Sequence, residues 1–201
     1  MINYFFCPFY YKGKVKNQRE MKSELVPYFE KEYEKQPDNH PPDWMCSVHT
    51  SYTKTDSFLE KYKDIYMSNI IEFLSEIKFP ECKLEVLGLW YNIYKKGQWQ
   101  EVHNHAANPY AYFSAVHFLK FDPEVHTSII MSNSNRIFLE TYSLGRKSNL
   151  NYWDLMHYVN VEEGDIIIFP STLEHFVKPQ TTNDSRVTVS FNIRAIPIDH
   201  I

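Results

Sequence analysis

From Leu84 onward the sequence is dominated by short segments in which apolar and polar residues alternate. Because successive side chains of a β-strand point to opposite faces, this alternation predicts strands with one buried face. Many short strands separated by turns are typical of a β-sandwich or a closed barrel. The candidate strands are 84–94, 99–105, 111–121, 127–131, 136–142, 156–161, 165–169 and 186–196.

The residues before this region follow a helical pattern instead. One helix is expected over about 18–35, and a second over 56–79, where apolar side chains recur every three or four residues until Pro80. Weaker signals predict an edge strand within 2–10 and a further strand over 44–52. Helices that precede a run of strands predict a β core with a helical covering on one face.

We therefore predict one domain over 1–201, mainly β with N-terminal α-helices. Residues 1–83 would supply helical support and edge strands, and 84–201 would form the β core. The polar, asparagine-rich stretch around 122–160 is long enough to be an insertion, either a loose hairpin or a lid over substrate.

Charge and cysteine content limit the classes of function. The formal net charge is −4, so no basic field favours nucleic acid or an anionic membrane. The three scattered cysteines, Cys7, Cys46 and Cys82, predict reduced thiols rather than a disulfide framework. No apolar run approaches transmembrane length and the N-terminus lacks a signal-peptide pattern. We expect a cytoplasmic protein with no membrane partner, and one that could form a homodimer.

Three histidines form the strongest candidate for a metal site. His103 and His105 lie two apart on a predicted strand, so both imidazoles would point to one face. His175 follows the buried strand 165–169 after a turn and could join them. Converging imidazoles suit Fe, Zn, Cu or Ni rather than Mg or Ca. The alternative for His103 and His105 is a pair of exposed strand histidines.

The last predicted strand carries an arginine on its polar face. Val187, Val189, Phe191 and Ile193 share one face, whereas Arg186 and Thr188 lie on the other face. The simplest expectation is that the polar face meets water. If helices cover the apolar face of a barrel, however, the polar face lines the interior, where Arg186 would offer a fork for a carboxylate and Thr188 a hydroxyl.

Together these segments resemble the Fe(II)- and 2-oxoglutarate-dependent oxygenases, in particular small members found in bacteria and phages. The resemblance covers about 90–196 and starts with Asn92-x-Tyr94-x-x-Gly97, followed after five residues by His103-x-His105. It continues with Phe-Pro-Ser before His175 and with the strand that begins at Arg186, Arg-Val-Thr-Val-Ser-Phe-Asn.

This resemblance implies a fold, two cofactors and a set of site residues. The fold would be a double-stranded β-helix, the jelly roll or cupin-like barrel, and the protein would act in a bacterial or phage-infected cytoplasm. Fe(II) would be held by His103, His105 and His175. The cosubstrate 2-oxoglutarate would be bound by Arg186, Thr188, Asn92 and Tyr94. The implied reaction is hydroxylation of a C–H bond in a small-molecule or peptidyl substrate, with release of succinate and CO2.

One feature departs from the superfamily pattern. Most members have a carboxylate at the position of His105, which gives two histidines and one carboxylate. Here either His105 is the third ligand, or Glu101 on the same predicted strand face or a water completes the shell.

Two other classes of function remain as alternatives at this stage. Gly97 with His103-x-His105, and Gly164 with Pro170, also fit the motifs of cupins, some of which are metal-dependent dioxygenases or isomerases that use no 2-oxoglutarate. The second alternative is a non-enzymatic jelly-roll binding protein. Metal content separates this alternative from the enzymes, and 2-oxoglutarate turnover separates the two kinds of enzyme.

Overall fold

The computed structural model describes residues 8–54, 57–133 and 155–198. These ranges contain ten strands, all paired antiparallel. The strands are β1 Tyr11–Lys14, β2 His49–Thr50, β3 Cys82–Tyr94, β4 Gln100–His103, β5 Phe113–Lys120, β6 Ile129–Ser132, β7 Met156–Tyr158, β8 Asp165–Pro170, β9 His175–Val177 and β10 Arg186–Pro197.

The helices precede the main run of strands, as predicted. Helix α1 spans Gln18–Lys35, which confirms the first predicted helix, and Pro27 lies inside it. The second predicted helix, 56–79, is instead divided into α2 Ser57–Glu60, a 3-10 turn Lys63–Tyr66 and α3 Met67–Glu76. Successive short helical turns keep the same apolar spacing as one long helix, so periodicity could not separate the two arrangements.

One weaker strand prediction is corrected: within 44–52 only β2 forms. In the segment before it, the Ser47 N–H donates to the carbonyl of Trp99, the residue before β4. An edge strand, β1, begins just after the predicted 2–10 and pairs with β8. Residues 1–7 lie outside the described residues, as does the predicted strand 136–142.

The strands form two sheets. The larger sheet has six strands in the order β1-β8-β5-β10-β3-β2, and the smaller has four in the order β4-β9-β6-β7. Antiparallel sheets that pack face to face with crossing connections form a jelly roll, here the double-stranded β-helix. Strands β6 and β7 both come from the stretch predicted as an insertion, of which 134–154 lie outside the described residues.

The helices cover the outer face of the larger sheet. Met21, Leu25 and Phe29 of α1 and Ile70 and Phe73 of α3 are all fully buried in this layer. Full burial of one such side chain contributes about 1.5–3 kcal/mol to the stability of the fold. The layer is therefore the main hydrophobic core, and it determines which face of the sheet turns inward.

Strand β10 lies in the middle of the larger sheet, between β3 and β5. Its apolar side chains pack in the helix-covered core and are 0% exposed: Val187, Val189, Phe191 and Ile193. Because side chains alternate, Arg186 and Thr188 point to the opposite face, between the two sheets. The polar face of this strand therefore lines the interior and does not meet bulk water, which is the second of the two expectations for it. None of the helices in the described ranges is both long and apolar enough to cross a membrane.

Candidate active site

A cavity of about 220 Å³ lies between the two sheets. It brings together all seven residues predicted as metal or cosubstrate ligands: Asn92, Tyr94, His103, His105, His175, Arg186 and Thr188. The histidines come from the smaller sheet and the loop after β4, whereas the other four residues come from β3 and β10. The cavity therefore has a histidine side and an arginine side.

The histidine side is built by the pairing of two strands. His103 on β4 lies directly opposite His175 on β9, and their ring centroids are 4.2 Å apart. His105 follows β4 and is held by its backbone N–H, which donates to the Ser171 carbonyl at 2.8 Å. One nitrogen from each of the three rings lies within 4.8 Å of the others. This spacing is suitable for one shared metal ion.

Hydrogen bonds fix the tautomer of two of these imidazoles. His103 donates from Nδ1 to the Glu101 carbonyl at 2.8 Å, and His175 donates from Nδ1 to the Leu173 carbonyl at 2.9 Å. A carbonyl can only accept, so each Nδ1 carries the proton and each Nε2 keeps its lone pair. On His103 this lone pair accepts from the Gln100 side-chain amide at 3.5 Å, at the limit of a hydrogen bond. The bond from Nδ1 to a carbonyl is the usual second interaction of metal-binding histidines, and it orients the ring toward the metal.

The three imidazoles are also held in the neutral form that binds metal. Burial lowers the pKa of His103, and burial together with nearby His103 lowers the pKa of His105 to about 4. The pKa of His175 lies well below its usual value because of burial and the two neighbouring histidines. At neutral pH no proton competes with a metal ion for these nitrogens.

The arginine side of the cavity contains a buried cation that has no carboxylate partner among the described residues. Arg186 is 1% exposed, and its Nε and Nη1 atoms are buried with no hydrogen-bond partner among the described residues. Its guanidinium carbon lies 4.7 Å from the Tyr94 ring centre and 5.5 Å from that of Phe118. Burial lowers the pKa of Arg186. Aromatic faces supply only part of the stabilisation that a buried cation needs, so the site is suited to an anion.

The register of β3 and β10 places the arginine-side residues in pairs. Arg186 lies opposite Tyr94, and Thr188 lies opposite Asn92. Side chains directly opposite each other in an antiparallel pair share a face and are in contact range. Asn92 donates to Ser190 Oγ at 3.2 Å, while its own Oδ1 is buried with no partner among the described residues.

Gln100 lines the cavity although no pattern in the sequence predicted this, and it accepts a hydrogen bond from Tyr94 at 2.6 Å. Glu101, the alternative ligand considered above, also lines the cavity and has a buried Oε2 with no partner among the described residues. A register shift between β4 and β9 turns both neighbours inward, which strict alternation does not allow. Glu101 is not part of the group of ligand atoms within 4.8 Å. Three aromatic residues at the mouth were also missed: Trp44, Tyr52 and Trp90.

The donor set fits the two cofactors of the resemblance. Three neutral imidazoles, each with one nitrogen in the group within 4.8 Å, are suitable ligands for Fe(II). The unpaired guanidinium of Arg186, on the other side of the same cavity, is suitable for the distal carboxylate of a dicarboxylate such as 2-oxoglutarate. The residues present therefore fit both groups.

Comparison with known protein families agrees with this geometry. A family model described as "Putative 2OG-Fe(II) oxygenase" matches residues 88–192, slightly more than half of the chain. The chain belongs to this family of Fe(II)- and 2-oxoglutarate-dependent oxygenases, whose cofactors are Fe(II) and 2-oxoglutarate. No curated protein matches the sequence.

Solved structures show the same fold. A prolyl-4-hydroxylase from Pseudomonas putida has a TM-score of 0.59 at 12% identity, over 93% of this chain and 92% of that chain. HygX from Streptomyces hygroscopicus, solved with nickel and 2-oxoglutarate, has a TM-score of 0.59 at 12% identity, over 95% of this chain and 83% of that chain. The epimerase SnoN from nogalamycin biosynthesis has a TM-score of 0.63 at 9% identity, over 93% of this chain and 76% of that chain. These similarities confirm the double-stranded β-helix.

Proposed function

We propose that this oxygenase hydroxylates a C–H bond of its substrate, using O2 and 2-oxoglutarate and releasing succinate and CO2. The observation that carries the proposal is the pairing, within one cavity, of three metal-suited imidazoles with the unpaired buried guanidinium of Arg186. A dicarboxylate that reaches from the metal to Arg186 uses both features, whereas a metal enzyme without such a cosubstrate leaves the buried cation unpaired.

In this proposal the histidines hold Fe(II) as neutral ligands. His103 and His175 bind through Nε2, since their Nδ1 protons are committed to backbone carbonyls. His105 is the third ligand, in place of the carboxylate that most of the superfamily uses. When bound, the metal supplies O2 activation, coupled to the oxidative decarboxylation of 2-oxoglutarate.

The arginine side binds and orients the cosubstrate. Arg186 donates from its guanidinium to the distal carboxylate, and Thr188 on the same strand face adds a hydroxyl. Tyr94 positions the guanidinium through its ring and is itself fixed by its hydrogen bond to Gln100. Asn92 adds a polar group beside Thr188. The sheets on both sides exclude bulk water, which strengthens each charged contact.

Hydroxylation is proposed because it is the simplest outcome of this set of groups. The solved structures of this fold include a prolyl-4-hydroxylase and an epimerase, so the fold alone does not select the reaction. Hydroxylation needs only a C–H bond close to the metal. Epimerisation also needs a hydrogen donor on the opposite face of the substrate.

The test combines metal binding with product analysis. Anaerobic calorimetry should show about one Fe(II) bound per chain in the wild type and none in His175→Ala, because loss of a ligand removes a large part of the affinity. A matched control is His40→Ala, since His40 does not line the cavity and its Nδ1 donates to the Pro41 carbonyl. With O2 and Fe(II), the wild type should convert 2-oxoglutarate to succinate. Unchanged iron affinity in His175→Ala would contradict the site, and iron binding without 2-oxoglutarate turnover would contradict the function.

A further inference from the structure

Glu101 is the second charged residue of the cavity, and it lies beside the histidines. It is on β4, two residues before His103, and His103 Nδ1 donates to its backbone carbonyl at 2.8 Å. Its side chain lines the cavity, and Oε2 is buried with no hydrogen-bond partner among the described residues. A buried carboxylate oxygen without a donor is unfavourable, so a ligand that supplies a donor to it is stabilised.

Neither the described part of the chain nor the two cofactors supplies this donor. No lysine, arginine or histidine side chain of the described ranges forms an ion pair with Glu101. Arg186 lines the same cavity but stacks on Tyr94 and Phe118, and the proposed function assigns it to 2-oxoglutarate. Glu101 is also outside the group of metal-suited atoms that lie within 4.8 Å of one another. The substrate is the remaining partner.

The thiol of Cys46 is a neighbour of Glu101 but does not neutralise it. Burial and the nearby Glu101 carboxylate raise the pKa of Cys46 to about 12. A neutral thiol is only a weak hydrogen-bond donor and carries no positive charge. The negative charge of Glu101 therefore stays uncompensated in the free protein.

Aromatic rings line the same part of the cavity. The Trp44 ring, two residues before Cys46, has its centroid 6.5 Å from that of His103 and 5.2 Å from that of Tyr52. Trp44 and Tyr52 both line the cavity, and Tyr52 is 47% exposed. The lysine and arginine side chains that stack on rings in the described ranges stack on other aromatic residues. Aromatic faces near a carboxylate form a favourable environment for a cation.

The free groups of the cavity favour a compact cation. Apart from Arg186, the buried side-chain atoms that lack a partner there are acceptors, Glu101 Oε2 and Asn92 Oδ1, so the substrate must bring donors. A guanidinium binds a carboxylate through two parallel contacts, whereas an ammonium is a point charge that can use a single oxygen. The cavity volume of about 220 Å³ lies below the range of about 300–1,000 Å³ usual for small-molecule sites. An alkylammonium group meets these conditions.

We propose that Glu101 selects the substrate by binding its protonated amine through Oε2, with the rings of Trp44 and Tyr52 in contact with the same group. The inference rests on the proposed function and names its substrate class, an aliphatic amine. Because Glu101 is two residues from His103, the alkyl chain that carries the nitrogen lies beside the metal ligands. One C–H bond of that chain becomes C–OH with one oxygen atom from O2. The other oxygen atom enters succinate, and the carboxyl carbon lost from 2-oxoglutarate leaves as CO2.

A pair of probes that differ in charge tests the inference. Pentylamine and the neutral 1-pentanol are titrated anaerobically into protein loaded with Fe(II) and 2-oxoglutarate, with calorimetric detection. The wild type should bind the amine at least about tenfold tighter than the alcohol. Glu101→Gln keeps the shape but removes the charge, so it should weaken the amine at least about tenfold and leave the alcohol nearly unchanged. Tyr52→Ala should weaken the amine about two- to fivefold, the size of a cation–π contact at an exposed site.

Glu174→Gln is the matched control. Glu174 also lies beside a metal-suited histidine, directly before His175, but it does not line the cavity. This variant should bind both probes as the wild type does. Equal losses of amine affinity in the two glutamine variants would assign the effect to the general field of the carboxylates and overturn the inference.

Iron affinity and stability separate recognition from other roles of Glu101. Glu101→Gln should bind Fe(II) and 2-oxoglutarate as the wild type does, and its urea midpoint should be equal or higher, because an unpaired buried charge is removed. A loss of iron affinity would make Glu101 a metal ligand, and a loss of stability would make it a structural residue. Either result overturns the inference.

Binding of 2-oxoglutarate distinguishes failure of the inference from failure of the proposed function. If the wild type binds 2-oxoglutarate but does not prefer pentylamine to 1-pentanol, the inference is wrong and the proposed function stands. If the wild type binds no 2-oxoglutarate, the proposed function itself fails.

Discussion

At the scale of single residues, Arg186 has the most consequential position. It is a fully buried cation between aromatic rings, and its Nε and Nη1 have no partner among the described residues. Such a group destabilises the folded chain unless something compensates its charge. A bound anion would compensate this charge, so Arg186 should contribute strongly to the affinity for the 2-oxoglutarate carboxylate.

We predict that Arg186→Ala weakens 2-oxoglutarate binding at least about thirtyfold and leaves Fe(II) affinity nearly unchanged. Loss of a buried charge-assisted pair costs roughly 2–5 kcal/mol, and about 1.4 kcal/mol corresponds to a factor of ten. Arg186→Lys should retain only part of the wild-type affinity for 2-oxoglutarate, because an ammonium is a point charge rather than a planar fork. Thr188→Ala should lower this affinity less than Arg186→Ala does. Anaerobic calorimetry measures each value.

The control for this prediction lies on the same strand. Arg194 is not among the residues that line the cavity; it pairs with Glu85 at 3.5 Å and stacks on Tyr110. Arg194→Ala should therefore bind 2-oxoglutarate as the wild type does. A loss of similar size in both variants would show that strand damage, rather than a missing carboxylate contact, explains the effect.

A second residue-scale prediction concerns His117, which is buried beneath α1. Its Nδ1 accepts from the Tyr66 hydroxyl at 3.0 Å, and its Nε2 donates to Gln18 Oε1 at 2.7 Å. Gln18 in turn donates to the Leu119 carbonyl at 2.8 Å, which fixes these directions. Only a neutral imidazole satisfies this chain, and burial lowers the pKa of His117 to about 3.

The pH dependence of stability follows from this pKa. Below the unfolded-state value of about 6.5 the unfolded chain binds a proton that folded His117 does not, so stability falls as pH falls toward about 3. The slope due to this residue is about 1.4 kcal/mol per pH unit. His117→Gln should reduce the slope of unfolding free energy between about pH 4 and 6 by about one proton. Urea titrations of the metal-free proteins at several pH values measure this slope. Identical slopes for the wild type and His117→Gln would contradict the prediction.

At the scale of elements, β10 separates the determinants of stability from those of binding. Its outer face packs in the helix-covered core, where the Phe191 ring lies 4.7 Å from that of Tyr66. Its inner face lines the cavity with Arg186, Thr188 and Ser190. One strand thus connects the hydrophobic core to the site, and alternation assigns each residue to one role.

We predict that Phe191→Ala lowers the free energy of unfolding by about 3–5 kcal/mol, since it empties a fully buried aromatic site. Ser190→Ala, the adjacent residue on the inner face, should cost only about 1 kcal/mol, the value of one hydrogen bond with Asn92. Urea unfolding measures both. Comparable losses at the two positions would contradict the division between the faces.

At the scale of the whole molecule, the site joins the two sheets. His103 and His175 belong to the smaller sheet, whereas Arg186 and Thr188 belong to the larger one. A metal with 2-oxoglutarate bound between them would link the sheets across the cavity. Ligands that bind only the folded state stabilise it by mass action.

We therefore predict a stepwise rise in melting temperature. Fe(II) at 100 times its Kd should add about 2.7 kcal/mol, which corresponds to about 5–11 °C for a chain of this size. 2-Oxoglutarate should add a second increment in the wild type. Arg186→Ala should keep the metal increment and lose most of the second, and a chelator should abolish both. Anaerobic differential scanning fluorimetry reads these steps, and a full second increment in Arg186→Ala would contradict the link between the sheets.

Local patterns in the sequence were enough to predict much of this architecture. Alternation identified strand β10, and short apolar runs identified β3, β5 and β8, which are buried over most of their length. Alternation also placed His103 and His105 together and Arg186 beside Thr188. The helix over 18–35 and the order of helices before strands followed from apolar spacing in the same way.

Other features depended on contacts between distant segments, which no local pattern encodes. Alternation gave β10 a polar face but did not say whether that face meets water, and only the helices packed on the other face decided this. The register shift in β4 turned Gln100 and Glu101 inward together. The ring of Tyr52 contacts those of Trp44 and Trp90, although Trp90 is distant from the other two in sequence. The sequence by itself thus determined the strands and the ligand types, whereas tertiary packing decided which faces enclose the cavity, because burial is a property of the assembled layers.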